Sequence, residues 1–391
     1  MKYFSADLIF TNVQTALREK VIVTDDKGKI LDLVNSAFVS ADVQHIHGAI
    51  VPGFVNAHCH LELSHLKEKL PTGTGLIPFI RSVVTLRDFP QEVIIQAIKN
   101  ADEEMYINGI VAVGDISNQI DTAKTKEDSL IHYYTFVEMF DFLQEEDAKT
   151  IFDQYMEVYN GQSNSGYNKK SCVPHAPYSV SPSLFSLINR QNGNYHTVSL
   201  HNQETSHENQ FFIDKKGALL DFFKGFGISL SNFTPTGKPS IDYAMAYMNP
   251  KNKTLFVHNT MCDHRDIRLA HKWNKNSYWI TCPNANLFIE NRLPDYKTFV
   301  NEGAKMGVGT DSLSSNWQLS ILEEIKTIQR YQSFLDTETL IKWSSYYSAQ
   351  ALSYDHLGSI EVGKTPGLVA LEGIDHKNSL LKEVTAVNRL I

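Results

Sequence analysis

The sequence predicts an α/β protein: a parallel (β/α)8 barrel carrying a small β-rich accessory domain built from both ends of the chain. Three observations lead there. Eight short apolar runs recur across the middle of the chain, helix-like stretches lie between several of them, and both ends read as short strands and turns. With 391 residues the chain has room for such a barrel, which takes about 250 residues or more, and for the accessory piece.

Taken in order, the first stretch has apolar pieces at 8–10 and 21–23 and a turn at Asp25-Asp26-Lys27-Gly28, the pattern of short antiparallel strands. After Pro52-Gly53 the texture changes. Strand-like runs occupy residues 51–57, 110–115, 133–139, 172–174, 197–201, 255–258, 278–281 and 306–309. Between them, stretches such as 91–108 and 319–334 carry apolar residues at helical spacing. Strand then helix, repeated eight times, is the barrel pattern. From residue 358 the chain returns to strands and turns, so the expected division is 1–50 plus 358–391 for the accessory domain and 51–357 for the barrel.

Composition narrows the function. Hydrophobic residues make up 42% of the chain and charged residues 20%, the balance of a globular protein rather than a disordered one. The formal net charge of −8 offers no basic field for a nucleic-acid polymer. The most apolar stretch, 218–230, is broken by Asp221 and Lys224 and is too short to span a bilayer, so no membrane partner is expected. Asp7 interrupts what a signal peptide would keep apolar, which points to a cytoplasmic protein. Cys59, Cys172, Cys262 and Cys282 form no Cys-x-x-Cys pair and read as reduced thiols.

In a parallel barrel the chemistry sits at the carboxyl ends of the strands. The first run ends Asn56-Ala57-His58-Cys59-His60, and residues two apart in a strand share a face, so both imidazoles can point at one ion. The fourth run leads into Pro174-His175-Ala176-Pro177-Tyr178, and the fifth into His201-Asn202-Gln203-Glu204. The sixth ends at His258, and the eighth at Gly309-Thr310-Asp311. One such ending is an ordinary capped strand; five together point to a site.

These motifs resemble those of the amidohydrolase superfamily, in its mononuclear branch that deaminates aromatic amino-heterocycles, and the resemblance covers almost the whole chain. The carriers are Val51-Pro52-Gly53-Phe54-Val55-Asn56-Ala57-His58-Cys59-His60, Cys282-Pro283-Asn284-Ala285-Asn286 and Gly309-Thr310-Asp311-Ser312. Gly358-Ser359-Ile360-Glu361-Val362-Gly363-Lys364 resembles the turn by which the chain re-enters the family's β-sandwich. Pro366-Gly367-Leu368-Val369 departs from the usual Ala-Asp-Leu-Val, a difference confined to the accessory domain.

The resemblance implies one divalent metal ion, Zn2+ or Fe2+, held by His58, His60, His201 and Asp311. Binuclear relatives carry a carboxylated lysine at the end of the fourth strand, where this chain has His175; Lys169 and Lys170 precede the run. It also implies that Asp311 acts as ligand and base, that His258 hydrogen-bonds the nucleophile, and that Glu204 protonates the ring nitrogen next to the attacked carbon. His175 resembles a substrate-binding histidine of deaminases acting on adenosine-type thioethers. Glu62 and Ser64 are candidates to meet the heterocycle. His207, His264 and His271 are assigned no chemistry.

The opening His-x-His-Leu-Glu-Leu-Ser, with Thr72-Gly73-Thr74-Gly75-Leu76 after it, looks most like deaminases of 6-aminodeoxyfutalosine in menaquinone biosynthesis. That substrate carries a benzoate, for which Arg81, Arg87 or Arg292 would supply the cation, Arg81 being the expected one. S-adenosylhomocysteine, methylthioadenosine, adenosine and guanine present the same ring chemistry. Two other classes stay open: a chlorohydrolase or amide hydrolase on the same fold, and a binding protein without catalysis. The expected partner is a small molecule, and the family resemblance leaves room for a homo-oligomer.

Overall fold

The computed structural model describes residues 1–391 and opens with β1 (Lys2–Ile9), β2 (Lys20–Thr24), β3 (Ile30–Asn35) and β4 (Gln44–Pro52). β1 pairs antiparallel with β2 and parallel with β4. Gly53 alone separates β4 from β5 (Phe54–Cys59), so the apolar run at 51–57 is shared between two strands. The parallel strands continue as β6 (Ile110–Ser117), β7 (His132–Met139), β8 (Lys169–Pro174), β9 (Thr197–Asn202), β10 (Lys253–His258), β11 (Ser277–Thr281) and β12 (Met306–Val308). Every one of the eight predicted runs contains a strand. The helical stretches appear as helices Gln91–Ile107 and Ile321–Tyr331.

The eight parallel strands fall into two sheets, β5-β6-β7-β8 and β9-β10-β11-β12. Backbone hydrogen bonds join them at both seams: His201 N–H donates to His175 O (2.9 Å), and Thr310 and Asp311 N–H donate to His58 O (3.1 and 3.0 Å). The arrangement is consistent with a (β/α)8 barrel. Candidate site residues therefore close the ring. The second seam needs Gly309, because a Cβ there would lie 2.8–2.9 Å from the His58 backbone and Cβ.

At the end of the chain, β13 (Leu368–Glu372) and β14 (Ala386–Arg389) extend the first four strands into one six-stranded sheet, ordered β14-β13-β4-β1-β2-β3. Where the family resemblance implies a sandwich, hydrogen bonding here runs unbroken through a single sheet. Its own small core includes Phe4, Ala6, Ile22, Ile46, Ile50 and Leu368, separate from the large core under the parallel strands. The four cysteines are buried and free. No helix is long and apolar enough to cross a membrane.

Candidate active site

The strand ends converge as their sequence suggests. His58 and His60 leave β5 on one face, His201 is next to last in β9, and Asp311 follows β12; His60 Nε2 lies 3.2 Å from His201 Nε2 and 3.4 Å from Asp311 Oδ1. His58 Nε2 is 3.6 Å from the same carboxylate oxygen. Asp311 and His258 both hold left-handed backbone, with φ of 59° and 72°. Two residues with a Cβ kept in that region mark strain at a site, which the surrounding packing must hold.

The cluster fits a divalent cation. His58 is fully buried, and neither of its ring nitrogens has a hydrogen-bond partner, a costly state for an imidazole with nothing to ligate. Burial pushes the pKa of His58 and His60 down to about 4, which keeps both rings neutral. At His201 burial also opposes charge, but the Glu138 carboxylate, 3.2 Å from Nδ1, outweighs it and raises the pKa to about 9. His201 Nδ1 donates to His175 O (2.9 Å), which leaves Nε2 for the cluster. His58, His60 and His201 bring their ligand atoms within 4.8 Å of one another, and Asp311 lies against His58 and His60, together a borderline donor set.

Beside the cluster lies a cavity of about 400 Å³, within the ordinary range for a small-molecule site. Glu204 faces it, with Oε1 3.7 Å from His258 Nε2, and burial holds its carboxyl well above the usual range. His258 Nδ1 donates to Asn286 Oδ1 (2.9 Å), and burial lowers its pKa to about 4, so a neutral ring turns its other nitrogen toward Glu204. A carboxyl that burial pushes toward its protonated form and a neutral imidazole thus share one wall. His175 lines the same cavity, its Nδ1 2.7 Å from Ser179 Oγ.

Glu62 also lines it; Oε2 accepts from the backbone N–H of Asn118 and Gln119 (2.9 and 3.0 Å), and burial raises the carboxyl to about 7. Ser64 does not reach the cavity and donates to Leu61 O in its own turn. Arg81 is a correction to the expected site: it is exposed and absent from the lining. On helix Leu76–Leu86 the residues Leu76, Phe79, Ile80, Val83 and Val84 face the cavity, and Arg81 lies outside that stripe. One turn beyond the stripe, Arg87 reaches the cavity, 3.9 Å from Glu62 Oε1. Arg292 is likewise exposed and away from the cavity. Lys169 and Lys170 begin β8, at the end opposite the site, and donate to backbone carbonyls of Ser353, Tyr159 and Gln162.

Several functional neighbours escaped the sequence reading. Glu138, next to last in β7, holds His201. Glu208 accepts from the backbone N–H of Gln203 and Glu204 (3.1 and 2.8 Å) and so fixes the loop that carries the acid. Glu324 accepts from Asn284 N–H and from the amides of Asn284 and Asn316, which ties the Cys-Pro-Asn turn to the loop after Asp311. Only Glu138 left a signal: a lone carboxylate inside an otherwise apolar strand ending.

The amidohydrolase family model matches residues 49–389. The chain belongs to the amidohydrolase family. Within it, this amidohydrolase falls in the deaminase branch and is a hydrolase acting on carbon–nitrogen bonds. A protein named adenosine deaminase from Helicobacter pylori is 25% identical over 378 residues, covering 93% of this chain and 91% of that one. One named aminodeoxyfutalosine deaminase, from Nitratiruptor sp., is 27% identical over 370 residues, 90% and 86% of the two chains. The fold matches the crystal structure of Helicobacter pylori aminofutalosine deaminase in complex with methylthio-coformycin at TM-score 0.79 and 24% identity, over 95% of this chain and 92% of that one.

Proposed function

We propose that this amidohydrolase is a metal-dependent hydrolytic deaminase of an aminopurine nucleoside bearing an aryl carboxylate, for which 6-aminodeoxyfutalosine is the best-fitting substrate. The observation that carries it is the pairing, in one cavity, of the buried Glu204 carboxyl with Arg87, which stands at the end of the apolar stripe of helix Leu76–Leu86. Relatives named for adenosine and aminodeoxyfutalosine support the nucleoside class. The anionic arm follows from charge. An uncharged methylthio arm would leave Arg87 without a ligand partner, and an amino-acid arm would need a free carboxylate for its ammonium. The adjoining cavity, about 730 Å³, is lined by Asp141, Asp147 and Glu157 with no lysine or arginine, so it offers no counter-charge to a benzoate.

In this reading residues 51–357 form a (β/α)8 barrel and residues 1–50 with 358–391 its accessory domain. His58, His60, His201 and Asp311 would hold one divalent ion, Zn2+ or Fe2+. When bound, the ion supplies Lewis acidity that makes water a usable nucleophile near neutral pH. The chain does the rest. Asp311 takes the proton of the attacking water, and His258 hydrogen-bonds that water through its unprotonated Nε2. Glu204 gives its proton to the ring nitrogen beside the carbon bearing the amine, so that carbon accepts the oxygen without charge building on the ring. The amine takes the proton held by Asp311 and leaves as ammonia, and the new hydroxyl's proton returns to Glu204 as the carbonyl forms. His175 and Glu62 would contact the nucleoside.

The test is ammonia release by metal-replete enzyme on 6-aminodeoxyfutalosine, S-adenosylhomocysteine, methylthioadenosine, adenosine and guanine, with mass analysis of each product. The expected result is one strong responder, 6-aminodeoxyfutalosine, with kcat/KM of at least about 10⁴ M⁻¹s⁻¹. Silence across the panel with metal bound would move the protein to the non-deaminating hydrolases.

A further inference from the structure

The accessory sheet carries a second group of metal-type donors, outside the active-site cavity. Asp7 on β1 and His45 and His47 on β4 place their ligand atoms within 4.8 Å of one another. On β1 the residues Phe4 and Ala6 face the sheet's own core, and Ser5 and Asp7, half-buried, lie between and beyond them. On β4 Ile46 is buried while His45 and His47 are exposed. Strand alternation therefore puts His45 and His47 on one face, and Asp7 joins them at an irregularity in the pairing.

The local backbone is built to bring them level. Pairing between β1 and β4 shifts register between Ala6 and Leu8, the mark of a β-bulge, so that Asp7 stands opposite both His47 and Gly48. Gly48 holds φ +146°, and a Cβ there would lie 2.2 Å from Leu371 O, so only glycine permits this bulge against β13. Its N–H donates to Asp7 Oδ2 (2.8 Å) and fixes the carboxylate. Ser5 Oγ lies 2.9 Å from His45 Nδ1, which leaves His45 Nε2 on the Asp7 side, 3.7 Å from Oδ1. From the loop between β13 and β14, His376 brings Nδ1 to 3.7 Å from Asp7 Oδ2. The nearby Arg18 guanidinium is directed at the Asp7 and His376 carbonyls rather than at the donors.

We infer that Asp7, His45 and His47, with His376 as a fourth donor, form a second divalent-metal site that takes zinc or a neighbouring borderline ion. The donor set matches a four-coordinate zinc ion, whose ligand atoms stand about 3.3 Å apart. The imidazoles are free to close the remaining gap, because His45 and His376 have side chains 45% and 43% exposed. The ion would pin the N-terminal strand to the C-terminal hairpin, so it is a structural site, and it does not depend on which substrate the barrel takes.

The test is a zinc titration of the full chain, stripped with a chelator and followed by equilibrium dialysis at buffered low-micromolar free zinc with metal analysis. Wild type is expected to saturate at two equivalents per chain and the double variant H45A/H47A at one, with thermal stabilisation by the second equivalent lost in that variant. D7N, which keeps size and shape, serves as an independent variant and is expected to weaken the second equivalent at least tenfold. H376A is expected to weaken it less. A single saturating equivalent in wild type, retention of both in H45A/H47A, or uptake that never saturates would overturn the proposal.

Discussion

Two His-x-His pairs in this chain each meet an aspartate across a parallel strand seam, and their surroundings could hardly differ more. His58 and His60 end β5 beside Asp311; His45 and His47 lie on β4 beside Asp7. The first group is sealed, with both nitrogens of His58 orphaned and a substrate-sized cavity alongside. The second lies open to water on the outer face of a sheet. The difference teaches that ligand spacing selects for an ion, whereas burial and neighbours decide whether that ion can do chemistry. A sealed site strengthens every charge around it and excludes bulk water; an open one only binds.

The largest effect that would break the comparison is at Glu204, which has no counterpart on the accessory sheet. Glu204→Gln keeps the shape and removes the transferable proton, so turnover is expected to fall by about 10²–10⁴-fold with metal content unchanged. Steady-state kinetics with metal analysis checks it. Unchanged turnover would remove Glu204 from the mechanism and make the two clusters chemically equivalent.

Next in size is a support that only the buried site needs. Lys126 Nζ sits 2.5 Å from Asp115 Oδ2, both buried, and Asp115 Oδ1 accepts from Leu61 N–H at the turn leading to Glu62. Lys126→Met would strand that carboxylate, at a cost of about 3–5 kcal/mol, because breaking one half of a buried pair leaves its charge unsolvated. Chemical denaturation measures it. A loss below about 1 kcal/mol would show that water reaches Asp115 and that the floor of the site is not sealed.

The cavity's selectivity sharpens the contrast further. Arg87→Met is expected to lower kcat/KM on 6-aminodeoxyfutalosine by about 10–100-fold, the worth of one charge-assisted hydrogen bond, and to leave methylthioadenosine unaffected. Arg81→Met should change neither. Equal losses on both substrates would mean that Arg87 acts by holding Glu62 rather than by reading the arm.

That pair of arginines also shows where sequence stops. The strands were legible because each is a short apolar run with a polar ending, and His58, His60, His201, His258 and Asp311 were legible because they are those endings. Two-residue periodicity puts His58 and His60 on one face without any knowledge of the rest. Arg81 against Arg87 depends on how a helix is rotated over a cavity built by segments from across the whole barrel, and no local pattern carries that. Glu324 is hidden for the same reason, since it holds the Asn284 turn from 40 residues away; Glu208 holds the loop four and five residues before it, a local contact that no periodicity marks. The accessory cluster lay unread because its third member, Asp7, reaches the histidines through a bulge, which strand alternation alone does not reveal.

The smallest expected effect is at that cluster. In H45A/H47A both side chains removed are exposed and neither neighbours the cavity, so kcat/KM on the best substrate should be unchanged and metal-free stability should shift by no more than about 0.5 kcal/mol. Zinc should then separate the variant from wild type, by raising the unfolding temperature of the intact sheet beyond what the barrel ion gives, as binding to the folded state alone requires. Turnover that fell with the exposed histidines would mean that the accessory sheet and the barrel mouth are energetically one unit. In that case the open cluster would be part of the catalytic machinery, and burial would not be what separates the two sites.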